Sequence, residues 1–267
     1  MEKLYNSADI EGVCGIEDWK ETELTDAGGA WFRKQMSEEV RAACEGAVQA
    51  GVRDILVKDA HDSGRNIDAS ILPANVRLLR GWTEDPRVMM AGLDETFGGV
   101  LFIGYHSGAN TDGNPLAHTM SLQIVSATIN GIGASEFLIN TYTAASLGVP
   151  VLFLSGDAML CDKAEALGCG IRTVAVSRGL GGASISIHPD LARERIRETV
   201  AEAVSCAQGR VRVPELPSRF VLRTRYRDHA KAYRASFFPG ARASGSHEIE
   251  IRARNWNDIL VFMLFNY

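Results

Sequence analysis

Three short apolar runs constrain this chain most: Asp54–Lys58 (DILVK), Gly99–Gly104 (GVLFIG) and Val151–Ser155 (VLFLS). Runs of this length and composition read as buried strands. Helical patterns lie before, between and after them. Val40, Ala43, Cys44, Ala47 and Val48 recur at helical spacing, with Ser37 as the expected N-cap, Glu38 and Glu39 in the first turn and Gly51 as the stop. Ser135–Leu147, closed by Gly148 and Pro150, also reads as a helix, as do Ala158–Leu167 and Pro189–Ala207. Strands separated by helices pair in parallel, so the pattern predicts a layered α/β sheet, mostly parallel in the N-terminal part.

Shorter signals complete the picture. Lys3–Ala8, Val76–Leu79, Leu122–Ile129 and Ile171–Val176 read as strands, Asn130-Gly131 as a tight turn, and Ser177–Ser184 (SRGLGGAS) as a glycine-rich loop. Val211–Ser218 carries Pro214 and Pro217 and is the best linker candidate. Beyond it come a strand (Phe220–Arg225), a helix near Asp228–Ser236, a strand (Glu248–Arg252) and a helix from Asn255. The expected division is a catalytic α/β domain over residues 1–210 and a smaller C-terminal α+β subdomain or assembly element over 211–267.

Composition removes several classes. In 267 residues, 46% hydrophobic and 23% charged residues exclude disorder, and a net charge of -5 argues against nucleic-acid binding. The longest strongly apolar run, Ile259–Phe265, falls far short of the roughly 20 residues a membrane helix needs. The N-terminus shows no secretory pattern, and the five scattered cysteines suit reduced thiols, so a cytoplasmic location is expected. Cys14 reads as a packed residue rather than a nucleophile. The arginine-rich stretch Arg219–Arg234 reads as a solvated or subunit-contact face.

Chemistry-bearing residues gather after the strands. Asp9 and Glu11 follow the first, Asp59, His61 and Asp62 follow DILVK, and His106 follows GVLFIG-Tyr105. Ligands bind at the carboxyl ends of strands in an open parallel sheet, so these clusters converge if the strands are neighbours. Glu136, at the start of the Ser135–Leu147 helix, is a fourth candidate. Three carboxylates (Asp9, Glu11, Glu136) and two imidazoles (His61, His106) suit zinc, manganese or cobalt. Three negative charges against two divalent ions, with a bridging hydroxide, sum to zero. Bland roles remain open for each: Asp9 and Glu11 as caps or ion-pair partners, Glu136 as a helix N-terminal acid, Asp59 and Asp62 as turn or supporting residues.

His118 follows the Gly/Asn/Pro-rich segment Gly108–Pro115 and could shuttle protons or hold an oxyanion, or simply bond a backbone carbonyl. His188, His229 and His247 read as ordinary polar positions. Ser177–Ser184 lacks both common phosphate-loop patterns, so anion binding there is a weak alternative to a plain or substrate-covering loop.

ADIEG, DAHDS, GYHSGANTDGNPLAHTMS and NGIGASEFLINTYTAASLGVPVLFLSGD occur in that order. Together they resemble the zinc-dependent D-aminopeptidase family associated with a bacterial dipeptide-transport operon, over roughly residues 1–200 and more loosely beyond. The resemblance implies two divalent metal ions per subunit, held by Asp9, Glu11, His61, His106 and Glu136, with Asp9 bridging and His118 catalytic. It implies a metal-activated hydroxide that cleaves the N-terminal amide bond of short peptides or amino-acid amides. It also implies a homo-oligomer, a ring-like decamer enclosing the active sites. The chain departs from the family's pattern after Val176, which bears on substrate choice and subunit contacts. Other expectations compatible with the residues are a different binuclear metal amidohydrolase acting on L- or β-peptides or amides, a metallophosphoesterase, and a non-enzymatic protein binding a small anion.

Overall fold

The structure is a computed structural model and describes residues 1–25, 28–207 and 209–267. Its strands and helices are, in chain order, β1 (Lys3–Ala8), α1 (Gly29–Gln49), β2 (Asp54–Asp59), β3 (Val76–Leu79), β4 (Val100–Tyr105), β5 (Ile124–Ile129), β6 (Ile132–Gly133), α2 (Glu136–Ser146), β7 (Val151–Asp157), α3 (Ala158–Ala166), β8 (Arg172–Leu180), β9 (Ala183–Ser186), α4 (Pro189–Ser205), β10 (Phe220–Tyr226), α5 (His229–Ala235), β11 (Ala241–Ala243), β12 (Glu248–Ala253) and α6 (Trp256–Asn266).

Seven strands form one sheet in the order β3-β2-β1-β4-β7-β8-β9. Every pairing is parallel except β8 with β9. The apolar strands β4 and β7 are buried along their whole length because helices cover both faces. On one face α1 and α4 pack against the sheet and each other, with Val40, Cys44, Ile196 and Val200 in a shared core. The two helices approach closely at Gly46, where a Cβ would stand 2.2 Å from the Arg197 carbonyl oxygen. The other face is closed by α2 and α3 through Phe137, Ala144, Leu160 and Ala164.

A second sheet of five strands, β11-β12-β10-β5-β6, is antiparallel throughout. Its apolar face, with Phe220, Leu222, Ile249 and Ile251, packs with α5, α6 and the far side of α2. That wedge between two cores explains why Glu136–Ala145 are all buried. This sheet takes two strands from residues 124–133 and three from beyond residue 219, so its pairing crosses the position expected to divide the chain.

Two local expectations are corrected. The first long helix begins at Gly29, not after Ser37. Ser37 sits inside it: its hydroxyl donates to the Arg33 carbonyl and accepts from the Asp68 backbone N–H, so its side-chain bonds serve the packing of the following loop rather than a cap. The Ser177–Ser184 segment is not a loop but a hairpin, β8 and β9 turning at Gly181-Gly182, with Gly181 at a φ of 61°. The strand expected over 122–129 is present as β5, and it joins the antiparallel sheet by pairing with β10, about ninety residues further along the chain.

Candidate metal centre

The strand order reverses between β1 and β4: the chain winds one way from β1 to β3 and the other from β4 onward. The carboxyl ends of β2, β1 and β4 are therefore adjacent at a topological switch point. Ala8 pairs with Asp59 on one side and Ile103 on the other, which sets Asp9, His61 and His106 within one shell. Two close approaches make this possible. A Cβ on Gly12 would lie 1.8 Å from the Tyr105 carbonyl oxygen, and one on Gly104 would lie 2.3 Å from that of Asp9. Only glycine fits at either crossing.

All six candidate residues come together, in two groups. Asp9, Glu11 and His61 form one and His106, His118 and Glu136 the other, with the donor atoms of each group within 4.8 Å of one another. Asp9 joins them: its Oδ1 is 3.3 Å from His61 Nδ1 and its Oδ2 is 3.6 Å from His106 Nε2. Glu11 Oε2 lies 3.1 Å from His61 Nδ1. Glu136 Oε2 lies 3.5 Å from His106 Nε2, and Oε1 lies 3.6 Å from His118 Nε2.

Each imidazole is oriented by its far nitrogen. His61 Nε2 bonds the Thr22 carbonyl at 3.1 Å, His106 Nδ1 the Ser107 carbonyl at 2.9 Å and His118 Nδ1 the Leu116 carbonyl at 2.9 Å. A carbonyl only accepts, so the bonded nitrogen carries the hydrogen. In the neutral ring the inward nitrogen then holds a lone pair, the state a metal ligand requires. In that neutral form His61 Nδ1 and Glu11 Oε2, 3.1 Å apart, would be two electron-rich atoms facing each other, an arrangement that needs either a proton or a cation between them. Glu11 Oε2 and His106 Nε2 are buried and have no hydrogen-bond partner. Such atoms are costly to bury unless a cation satisfies them, and a set of three carboxylates and three imidazoles fits zinc well.

The electrostatics say the same. Burial opposes charge on both buried imidazoles, but Glu11 and Asp9 outweigh it at His61, pushing its pKa well above the ordinary value. Glu136, with Glu11 and Asp9, pushes His106 up to about 10. Burial together with the Glu11 charge raises Asp9. Against burial, His61 holds Glu11 well below the usual carboxylate range and His106 holds Glu136 at about 2. The cluster thus concentrates negative charge that draws in either protons or cations.

Surrounding residues fix this shell. Asn114 donates to the Glu11 carbonyl and tethers the 106–121 loop. The Met120 N–H occupies Glu136 Oε1 at 2.6 Å. Ser135 caps α2 and sets Glu136 in its first turn. Asp59 accepts from the backbone of Asn66 and Ile67 and braces the loop after His61, a supporting role in keeping with its sequence position. Asp62 instead turns the chain, at a φ of 41°. The β8–β9 hairpin packs on the 108–115 segment through the Gly179 N–H to the Gly113 carbonyl. His188 caps α4, while His229 and His247 lie against each other in the second sheet's region, away from the cluster.

The cluster floors a cleft of about 460 Å³ lined also by Trp19, Glu23, Trp82, Val88, Met89, Met120 and Leu122. The sequence reading missed these, and Thr22 with them. Single apolar residues in loops and three-residue 3-10 turns give no periodic signal, Glu23 stands in no motif, and Thr22 acts through its carbonyl. Val88 and Met120 hold left-handed φ angles of 47° and 60°, a strain that collects at working sites.

The sequence profile of the family described as D-aminopeptidase matches residues 2–265. This chain belongs to that family. A D-aminopeptidase of Bacillus subtilis (strain 168) is 30% identical over 269 residues, covering 98% of this chain and 95% of the relative. A solved structure superposes with a TM-score of 0.92 at 29% identity, covering 98% of this chain and 96% of its own. It is described as a zinc-dependent D-aminopeptidase from Bacillus subtilis and a self-compartmentalizing protease. The family's mixed architecture, a largely parallel sheet beside an antiparallel one, is the one found here.

Proposed function

We propose that this chain is a zinc-dependent aminopeptidase that hydrolyses the N-terminal amide bond of short peptides or amino-acid amides, with D-residues preferred. The observation that carries the reading is the pair of carboxylate–imidazole groups joined through Asp9, with the inward ring nitrogens of three histidines left free by backbone bonds at their far nitrogens. Asp9, Glu11, His61, His106 and Glu136 would hold two divalent ions, with Asp9 shared. Bound there, such ions supply Lewis acidity, which makes water nucleophilic at neutral pH and polarises an amide carbonyl.

The chain's own groups do the rest. His118 Nε2 faces the cleft with its lone pair free, because Nδ1 is committed to the Leu116 carbonyl. It accepts a proton and returns it to the leaving amine. Trp19 packs edge-on against the His118 ring and His106 stacks beneath it at 4.3 Å, so the imidazole keeps its direction. Among the described lining residues none is Lys or Arg, while Glu23 and Asp62 add carboxylates. A free α-ammonium is favoured in such a cleft, in keeping with exopeptidase action.

The relative's description as self-compartmentalizing supports a homo-oligomer, and we extend this to a decamer. No helix among the described residues is long and apolar enough to cross a membrane, and all five cysteines are free. These features support a cytoplasmic location. Metal analysis of the purified protein together with a panel of D- and L-aminoacyl amides and short peptides tests the reading. Stoichiometric metal and D-selective turnover are expected. A protein without bound metal, inert with added zinc, manganese or cobalt, refutes it.

A further inference from the structure

One wall of the cleft is built with more care than a passive lining needs. Trp82 lies in the irregular segment after β3, yet four contacts tie that segment to the end of β2 beside His61. The Trp82 indole N–H donates to the Asp62 carbonyl at 2.7 Å. The Gly81 N–H donates to the Gly64 carbonyl at 2.8 Å. The Lys58 ammonium donates to the Gly81 carbonyl at 2.8 Å and also to the carbonyl of Asp59. The same ammonium stands 4.0 Å from the centre of the Trp82 ring.

Lys58 is the unusual member. It is the last residue but one of β2, with its side chain wholly buried. A lysine is rarely buried without a carboxylate partner. Here two carbonyls and the face of an indole receive it, a cation–π arrangement that strengthens as water is excluded. The cost of burying that charge is spent on fixing one ring. Trp82 is 36% exposed and lines the cleft together with Asp62 and His61.

Resting on the aminopeptidase reading above, we infer that Trp82 is a specificity-determining residue and Lys58 its positioning residue. Trp82 presents an immobilised aromatic wall that receives an apolar side chain of the substrate, while Lys58 locks the wall to the strand end that carries His61. Met89, Val88 and Met120, which line the same cleft, extend the apolar surface. The substrate class that fits is a peptide or amide whose residue at this wall is large and apolar. An anionic side chain there would meet the Asp62 and Glu23 carboxylates, with no Lys or Arg among the described lining residues to offset it.

The test measures binding of two metal-chelating probes, the hydroxamates of phenylalanine and alanine, to the zinc-loaded protein by calorimetry, beside turnover of the corresponding amides. The wild type should favour the phenylalanine probe. Trp82→Ala should cut that preference roughly tenfold or more, the range a hydrophobic pocket contact supplies, with alanine-probe affinity and zinc content unchanged. Lys58→Met should reproduce the lost preference, whereas Trp82→Phe, which keeps a ring, should restore most of it. A ratio unchanged in Trp82→Ala overturns the inference while leaving the metal-site reading intact. A lost ratio in Trp82→Ala with none in folded Lys58→Met removes Lys58 from the role. Should Lys58→Met fail to fold, Lys58→Arg decides in its place: a longer, planar cation must displace the ring, so an unchanged ratio removes Lys58 equally. If neither probe binds the loaded wild type, the site reading itself has failed.

Discussion

Asp9→Asn should reverse its effect on stability according to whether zinc is present. The substitution keeps the side chain's size and an oxygen to accept the Ile10 N–H at 2.9 Å. It removes one negative charge from a buried group whose donor atoms lie within 4.8 Å of one another. At an effective dielectric of about 20, two like charges at that distance repel by about 3 kcal/mol. Burial and the Glu11 charge already raise the Asp9 pKa, so part of that repulsion is relieved by protonation. The metal-free variant should therefore be more stable than wild type by about 1–2 kcal/mol, a rise of a few degrees in Tm. With zinc the order inverts. Losing groups that merely support a ligand costs 10–100-fold in affinity, so losing a shared ligand should cost about 100-fold or more. At saturating metal that removes about 2.7 kcal/mol of zinc-linked stabilisation. Thermal unfolding with chelator and with graded zinc reads both halves. A variant less stable than wild type under chelator, with an undiminished zinc shift, would refute the assignment of Asp9 to a bridging position.

Three further outcomes follow from the same geometry. Zinc binding near neutral pH should release protons, because metal ligation requires neutral imidazoles and the carboxylates keep His61 and His106 protonated in the metal-free state; calorimetry in buffers of different ionisation enthalpy reads this, and proton uptake would contradict it. In the same metal-free protein, the stability His106 contributes is full below its ordinary 6.5 and lost as pH rises towards about 10, while that of Glu136 is present above 4.5 and lost as pH falls towards about 2, so chemical denaturation under chelator should give these two groups their joint maximum between those limits. Gly12→Ala should cost roughly 3 kcal/mol or more, since its Cβ would meet the Tyr105 carbonyl at 1.8 Å, and an unchanged Tm would mean the crossing of β1's extension over β4 can relax.

What the sequence made legible follows from where information sits in a parallel sheet. Each strand ends once, and polar residues just beyond β1, β2 and β4 must meet if those strands are neighbours. That is why Asp9, Glu11, His61 and His106 could be picked out and why the structure gathers them. Glu136 was visible through helix-start chemistry at Ser135. The remainder is non-local. The pairing of β5 with β10 depends on a partner about ninety residues away. Ser37 has the chemistry of a cap, but its bonds to Arg33 and Asp68 are decided by tertiary packing. The SRGLGGAS run reads as a loop by composition, and only the strands flanking Gly181 show it to be a hairpin. Trp82 and Lys58 stand in different segments, and nothing in either reveals that one is stacked on the other.

His118 is where position and role have to be argued apart. Its Nε2 stands within reach of Glu136 on nearly the same terms as His106, 3.6 Å against 3.5 Å, so distance alone would make it a ligand. Solvent contact separates the two: the His106 side chain is wholly buried and that of His118 is 13% exposed. The buried His106 imidazole, set among carboxylates and absent from the cleft lining, is placed to ligate a cation rather than to meet a substrate. One that lines the cleft can exchange protons with a substrate and still be held in direction by Trp19 and Leu116. His118→Ala separates the roles: as a proton carrier it should lower kcat by about 10²–10⁴ with metal content unchanged. A variant that loses one ion per chain would make it a ligand instead, and the proton to the leaving amine would then have to come from another group lining the cleft, of which Glu23 and Asp62 are the acidic members outside the ligand set.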